Sequence, residues 1–272
     1  MKILVTGRKG FIGQNLVNHI NNKTDWEVDG FEWEDGRIDF FRNHYDWVIH
    51  LGAISSTTET DIDKIMEQNY EFSVWLAKEC DYRKINLQYA SSASVYGLNT
   101  CFNEDAPKDP RSGYAWSKYL FDRWVEKQNF RRITVQGFRY FNVYGEYEEH
   151  KGDMASPISK FSKQAAEEKK ITLFRNSHQY KRDFVWVGDI CKIHVKFIED
   201  VDENGIWNVG TGKAVSFEAI AKKISKKYKA EIREIPMPKE IRAQYQEYTC
   251  ADLTSIKKHI GNYRWKNVLR WI

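Results

Sequence analysis

The sequence has few cysteines, no long apolar run and no large excess of one charge. Its four cysteines, Cys80, Cys101, Cys191 and Cys250, form no CxxC pair and have no histidine nearby at metal-ligand spacing. We therefore expect free thiols in a reducing compartment and no metal site. No apolar stretch approaches the roughly 18 residues of a membrane-spanning helix, and the N-terminus becomes glycine-rich too early for a signal peptide. We expect a cytoplasmic protein without a membrane partner.

The charge balance argues against a dedicated nucleic-acid binder. A formal net charge of +4 and a pI near 8.7 are a mild excess, without the clustered basic stripe that such proteins carry. A mild positive charge suits an anionic small substrate. Apolar residues make up 42% of the 272 residues, which is enough for a packed core and argues against wholesale disorder.

Strand and helix patterns alternate along the first half of the chain. The predicted strands are Lys2–Thr6, Trp26–Trp33, Asp46–Leu51, Asn86–Ser92 and Ile133–Tyr140, and the predicted helices are Phe11–Asn21, Ile62–Cys80 and Ser112–Lys127. This alternation predicts an α/β fold, a Rossmann-like doubly wound parallel sheet with helices on both faces. Such sheets bind ligands at the carboxyl ends of their strands, so functional residues should follow the strands directly.

The pattern weakens after Gly145. A helical stretch runs through about Lys170, a strand-like run covers Asp183–Val187, and helices are predicted at Ile190–Glu199 and Phe217–Tyr228. We expect a dinucleotide-binding domain over residues 1–148, to which residues 183–213 return. Residues 149–272 would mainly form a small C-terminal substrate-binding lobe.

Three glycines separate the first strand from the first helix. Gly7, Gly10 and Gly13 recur at every third position. Glycine permits a tight turn, close approach of the backbone to a pyrophosphate, and close packing of strand and helix. The N-terminus of the helix offers N–H groups and a positive dipole end to the phosphates. Because strand, glycines and helix occur in the required order, we predict a dinucleotide site rather than a plain turn.

Glu32 is the candidate residue for reading the adenosine ribose. It follows Gly13 by 19 residues, close to the spacing of about 20 expected for that role. A carboxylate there accepts hydrogen bonds from ribose hydroxyls and repels a 2′-phosphate, which favours NAD. Arg8, Lys9 and Arg37 offer countercharge and leave NADP possible. An exposed position in a locally acidic run is the alternative for Glu32.

A Tyr–Lys pair and an upstream serine suggest acid–base chemistry. Tyr114 and Lys118 are four residues apart on a predicted helix and so share one face. A neighbouring ammonium favours the phenolate, which allows Tyr114 to take a hydroxyl proton while hydride leaves the same carbon. Ser92 ends a predicted strand, where its hydroxyl can bond the reacting oxygen. Each pattern alone is common: the pair also fits a surface contact, and the serine a hydroxyl-rich turn.

Four motifs occur in order along the chain: TGRKGFIG at 6–13, SSASVYG at 91–97, YAWSK at 114–118 and FRYFNVYG at 138–145. Together they resemble the extended short-chain dehydrogenases/reductases that act on nucleotide sugars, the NAD-dependent epimerase/dehydratase family. Within that family, SSTTE at 55–59 combined with HKGDMAS at 150–156 is most similar to the ADP-glyceromanno-heptose 6-epimerases. The segments KRDFVWVGD at 181–189 and YQEYTCADL at 245–253 support the same resemblance.

The resemblance implies an isomerase that epimerises a nucleotide-activated heptose or a related sugar through transient oxidation with NAD. A homo-oligomer that binds no nucleic acid is also expected. Ser92 and Tyr114 would flank the reacting hydroxyl, and Lys151 would be a second base. The resemblance implies substrate contacts at Asn142, Lys151, Arg182 and Tyr245, and cofactor contacts at Gly7, Gly10, Phe11, Ile12, Gly13, Glu32, Leu51, Gly52, Ala53, Ser55, Asn69, Tyr114, Lys118 and Val143.

Departures from the family pattern leave other functions open. Asp153 stands where the family usually has serine, and Lys160 where it has histidine, so the nucleotide and the sugar can differ. A UDP-hexose 4-epimerase, or another dehydratase or reductase of the superfamily, is the alternative. A 4,6-dehydratase would need an acidic pair where this chain has Ala93 and Ser94. A non-catalytic dinucleotide- or RNA-binding module is the alternative of another class, although such relatives tend to lose the tyrosine or the lysine.

Overall fold

Short, largely buried strands build a central parallel sheet. The computed structural model describes residues 1–35, 41, 43–56, 58–242 and 245–272. Within these residues, six strands pair in the order β2-β1-β3-β4-β5-β9. Their bounds are β1 Lys2–Thr6, β2 Glu27–Phe31, β3 Trp47–His50, β4 Asn86–Ser92, β5 Val135–Tyr140 and β9 Gly205–Val209. All five pairings are parallel, and the predicted doubly wound α/β fold is confirmed.

Helices cover both faces of this sheet. The helices of the described residues are α1 Phe11–Lys23, α2 Ile62–Ile65, α3 Phe72–Arg83, α4 Gly113–Lys127, α5 Pro157–Glu167, α6 Val187–Asp200, α7 Phe217–Tyr228, α8 Lys239–Arg242, α9 Lys257–Ile260 and α10 Val268–Trp271. Of these, α5, α7 and α10 contact strands outside the central sheet. Successive strand residues point to opposite faces. Leu4 therefore packs with Leu76 of α3 and Phe121 of α4, whereas Ile3 packs with Leu16 of α1. Each such buried side chain contributes about 1.5–3 kcal/mol.

The remaining strands form two small sheets in the second half of the chain. Their bounds are β6 Asn142–Tyr144, β7 Lys170–Phe174, β8 Lys181–Trp186, β10 Ala214–Ser216 and β11 Glu231–Ile235. β8 pairs with β6 and β10, and β7 pairs with β11. The helix predicted through about Lys170 ends at Glu167 instead, because Lys169 adopts a left-handed conformation with φ 54° and turns the chain into β7.

The second half also contributes to the central sheet. β9 pairs with β5, and α6 packs against α1, whereas β8 lies outside the sheet. These contacts support a division in which part of residues 183–213 joins domain 1–148, with 149–272 otherwise forming the substrate lobe, and we propose that division. In the described ranges no helix is long and apolar enough to cross a membrane. The same residues contain no His, Cys, Asp and Glu grouping fit for a metal ion.

Candidate active site

A cleft of about 530 Å³ lies at the carboxyl ends of β1, β2 and β3. Most of the residues predicted to contact a cofactor line it, namely Gly7, Gly10, Phe11, Ile12, Gly13, Glu32, Leu51, Gly52, Ala53 and Ser55. Lys151 lines the same cleft. Ile54, inside the predicted Leu51–Ser55 segment, also lines it. The remaining lining residues carry no sequence prediction: Thr6, Phe31, Trp33, Glu34, Ser56, Gln68, Phe72, His150 and Met154. Most of these are apolar or lie beside a predicted residue, so no separate sequence signal marks them.

The glycine turn leaves no room for side chains. Gly7 has φ +68°, and a Cβ there would lie 2.7 Å from the backbone of Gly52. A Cβ on Gly13 would lie 2.0 Å from the carbonyl oxygen of Gly7. Both positions therefore require glycine, because only its absence of Cβ lets α1 pack this closely on the turn.

The N-terminus of α1 opens into the cleft. Gly10 is the N-cap, it provides no side-chain cap, and no acidic residue lies in the first turn. The first N–H groups of a helix have no partner within the helix, and together with the helix dipole they favour an anion. The tight glycine turn and this uncapped helix end fit the pyrophosphate of a dinucleotide.

A chain of buried polar groups holds the segment after β3. Gly52 N–H donates to Thr6 Oγ1 (3.0 Å), and Thr6 Oγ1 lies 2.7 Å from His50 Nδ1. His50 Nε2 lies 2.8 Å from Ser73 Oγ, whose hydroxyl donates to the carbonyl of Asn69 (2.6 Å). Burial lowers the pKa of His50 to about 3, with a smaller effect from the Lys118 charge. His50 is therefore neutral, and its Nε2 carries the proton.

Asn69 lies on an irregular turn of helix. Residues Met66–Glu71 form a π-helical segment between α2 and α3, where one helix was predicted over Ile62–Cys80. The side chain of Asn69 is fully buried. It accepts from Ile54 N–H (2.8 Å) and donates to the Ile54 carbonyl (2.9 Å) and to Ser117 Oγ (3.1 Å). Asn69 thus ties the cleft segment to α4; its predicted contact with the cofactor stays a prediction.

Glu32 lies at the edge of the cleft just after β2. Its carboxylate accepts a hydrogen bond from the backbone N–H of Lys9 at 2.7 Å. The side chain of Arg8 lies across Gly30, so close that a Cβ on Gly30 would be 1.8 Å from Arg8 Cδ. The Glu32 carboxylate therefore lies at the cleft, and its contact with the adenosine ribose stays a prediction. Arg37 and Thr57, and the side chain of Asp153, lie outside the described part of the chain.

Ser92, Tyr114 and Lys118 come together at the end of β4 and the start of α4. Burial raises the pKa of Tyr114 above its ordinary value, and a hydrogen bond with Ser92 opposes part of that shift. Lys118 Nζ lies 6.0 Å from the centre of the Tyr114 ring. Ser112 caps α4 by accepting from Ala115 N–H at 3.2 Å, which places Tyr114 in the first turn of the helix. The predicted serine, tyrosine and lysine are thus neighbours.

Lys118 is held in a buried environment. It is 5% exposed, and burial lowers its pKa to about 8, against the attraction of Asp122 one turn further along α4. Asp122 itself accepts from Arg139 Nε (2.8 Å), Ser91 Oγ (2.9 Å) and Tyr89 OH (3.1 Å). Asp122 is thus paired with Arg139, and the Lys118 amine lies near the Tyr114 ring.

Lys151 reaches the cleft from a separate loop. Its Nζ lies 5.2 Å from the centre of the Phe11 ring, at the first residue of α1. Burial lowers the pKa of Lys151, and the nearby carboxylate of Glu148 opposes that shift. Lys151 is half-buried, so its side chain is not that of a fully solvated loop lysine.

Three of the four predicted substrate residues, Asn142, Arg182 and Tyr245, lie on or beside β6 and β8. Arg182 lies on β8, and its guanidinium is 5.4 Å from the ring of Tyr245. It donates to the carbonyls of Lys181 (3.0 Å) and Gln246. Asn142 begins β6, the strand next to β8, and Val143 follows it. Burial lowers the pKa of Arg182 and raises that of Tyr245.

Known proteins are similar to this chain in sequence and in architecture. The sequence pattern of the NAD dependent epimerase/dehydratase family matches residues 3–210. An ADP-L-glycero-D-manno-heptose-6-epimerase from Brachyspira hyodysenteriae is 37% identical over 287 aligned residues, which cover 94% of this chain and 90% of that protein. The crystal structure of ADP-L-glycero-D-manno-heptose-6-epimerase from Helicobacter pylori is similar with a TM-score of 0.87 at 25% identity, covering 98% and 92% of the two chains. A UDP-N-acetylglucosamine 4-epimerase from Methanobrevibacter ruminantium shares the fold, with a TM-score of 0.84 at 22% identity and coverage of 97% and 93%.

Proposed function

The chain belongs to the NAD dependent epimerase/dehydratase family, and from this premise we propose that it inverts one carbinol of an ADP-activated heptose, at carbon 6. It is an NAD-dependent isomerase acting on a nucleotide sugar. The 37% identity to a heptose epimerase over 94% of the chain supports the heptose and the ADP group. Ala93 and Ser94 follow Ser92 where a 4,6-dehydratase would need acids, which supports epimerisation over dehydration.

One observation carries the proposal: Lys151 lines the cofactor cleft from the 145–156 loop, whereas Tyr114 lies on α4 and is not among the residues that line this cleft. An epimerase must remove and return a proton at the same hydroxyl in two orientations of the sugar. Two bases on separate elements provide this. Lys151 can act as a base only if its pKa falls from the ordinary value, and its burial acts in that direction.

We assign the chemistry as follows. The glycine turn and the Leu51–Ser55 segment would hold NAD, which would supply the reversible hydride acceptance that epimerisation of a carbinol needs. Ser92 holds the carbinol oxygen, and Tyr114 takes or returns its proton in one orientation. Lys118 stabilises the phenolate with its charge and binds the nicotinamide ribose, and Lys151 serves the other orientation. Asn142, Arg182 and Tyr245 hold the nucleotide sugar. No net redox change occurs, so the cofactor stays bound between turnovers.

A substrate panel tests the proposal. Purified protein is incubated with ADP-, GDP-, UDP- and dTDP-sugars, including ADP-heptose, and products are separated by chromatography and identified by NMR. We expect inversion of ADP-heptose at carbon 6 and no net production of NADH. Turnover of UDP-hexoses alone would replace the proposal with a UDP-hexose 4-epimerase. Homo-oligomerisation, cytoplasmic location and absence of nucleic-acid binding stay predictions, the first of them open to light scattering.

A further inference from the structure

The loop that carries Lys151 is built around a buried carboxylate. Glu148 is 2% exposed, although the next residue, Glu149, is exposed. A carboxylate seldom lies inside a protein unless hydrogen bonds satisfy it. Burial raises the pKa of Glu148, and hydrogen bonds from Ser156 and Gly145, together with the Lys151 charge, lower it. Burying Glu148 therefore costs desolvation free energy, a cost that does not arise at the exposed Glu149.

The hydrogen bonds of Glu148 join the two ends of the loop. Gly145 N–H, directly after β6, donates to Oε1 at 2.8 Å. At the other end, Ser156 donates from its N–H to Oε2 at 2.5 Å and from its hydroxyl to Oε1 at 2.9 Å. Ser156 is also the N-cap of α5. One carboxylate thus fixes the distance between β6 and α5 across residues 145–156.

Lys151 lies in the middle of the segment closed in this way. Its backbone N–H donates to the carbonyl of Glu148 at 2.9 Å, and its ammonium extends over Phe11 in the cleft. We propose that Glu148 is a positioning residue for Lys151, closing the 145–156 loop so that this lysine stays at the cofactor cleft. This inference rests on the proposed role of Lys151 as the second base.

The test separates the reaction that needs both bases from one that needs only Tyr114. Epimerisation requires both. Dismutation of an aldehyde analogue of the substrate converts two aldehydes and one water into one alcohol and one acid, and it needs only the Tyr114 side. In Glu148→Gln the amide cannot accept at both positions, so the loop loosens. We expect epimerisation to fall by about 10²-fold, the loss typical of a misplaced reactive group, while dismutation and NAD affinity change less than about twofold.

Three further variants make the outcome decisive. Glu149→Gln, the exposed neighbour, should leave both reactions unchanged. Lys151→Ala/Glu148→Gln should epimerise no more slowly than Lys151→Ala, because Glu148 acts through that lysine. Ser156→Ala removes one of the three donors to Glu148 and should give a smaller loss, in epimerisation alone. This variant replaces Glu148→Gln as the test if Glu148→Gln does not fold. Equal loss of both reactions in Glu148→Gln or Ser156→Ala, or a further loss in the double variant, would overturn the inference. Near-normal epimerisation by Lys151→Ala would instead refute the two-base function itself.

Discussion

The two walls of the site differ in the chemical groups that form them. The cofactor wall, Gly7–Gly13 with Leu51–Ser55, is mainly backbone: glycines without room for a Cβ, an uncapped helix end and a loop held by buried hydrogen bonds. The catalytic wall, Ser92, Tyr114, Lys118 and Lys151, consists of side chains, and burial alters the pKa values of the tyrosine and the two lysines. Binding a pyrophosphate needs N–H groups that any sequence has, whereas moving a proton needs particular side chains in particular surroundings.

This difference predicts that removing a polar side chain is costly on the catalytic wall and mild at the cofactor wall, whose glycines are the exception because they have no room for a Cβ. The largest effect is expected for Tyr114→Phe. Removal of a general acid–base group typically slows turnover by about 10²–10⁴-fold, while the phenyl ring keeps its packing. NAD affinity, followed by fluorescence titration, should change little. Turnover near the wild-type rate would exclude Tyr114 from the mechanism and leave the catalytic wall without its central group.

Lys118 should reveal that the catalytic wall is unfavourable for stability. Its pKa falls to about 8 in the folded protein, against about 10.4 in an unfolded chain. The unfolded state therefore binds the extra proton between these values, and stability rises with pH across that window. Below pH 8 the buried amine costs about 3 kcal/mol. Lys118→Met should be more stable than wild type by about that amount at pH 7, and Asp122 keeps its partner Arg139.

Urea unfolding of Lys118→Met and wild type at pH 7, 8, 9 and 10.5 measures this. The advantage of the variant should shrink steadily as the pH rises and vanish near pH 10.5, while activity is lost at every pH. A stability difference independent of pH would mean that packing, and not the buried charge, decides the result.

Lys151→Ala tests the second proposed base of the catalytic wall. We expect epimerisation to fall by about 10²-fold or more, since general base catalysis contributes on this scale, with dismutation of the aldehyde analogue largely retained. The measurement is the ratio of the two rates in the same preparation. A parallel fall in both reactions would show that Lys151 supports the fold of the cleft and does not act as a base.

The sequence predicted local elements better than contacts between distant parts of the chain, for a physical reason. The glycine motif is local, and the predicted elements Asn86–Ser92 and Phe217–Tyr228 match the structure in full. By contrast, β7 and β11 pair across about sixty residues, which no local pattern indicates. The exposed Glu149 and the buried Glu148 are the same residue type side by side. Hydrogen bonds from Gly145 and Ser156 to Glu148 distinguish them, and no local pattern indicates these bonds. The resemblance therefore predicted a role for Lys151 but none for Glu148.

The smallest effect is expected at Glu32, which lines the cleft beside the cofactor wall. Its carboxylate accepts from the Lys9 backbone N–H at 2.7 Å, a bond that the carbonyl oxygen of glutamine can keep. What Glu32→Gln removes is the negative charge that repels a 2′-phosphate. NADP should therefore bind more tightly by up to about tenfold, or 1.4 kcal/mol, while NAD affinity changes little. Titration of both cofactors into wild type and variant, with Glu27→Gln at the opposite end of β2 as the matched control, measures the shift. Wild-type protein that binds NADP at least about tenfold more tightly than NAD would show that Arg8 and Lys9, and not Glu32, determine the cofactor.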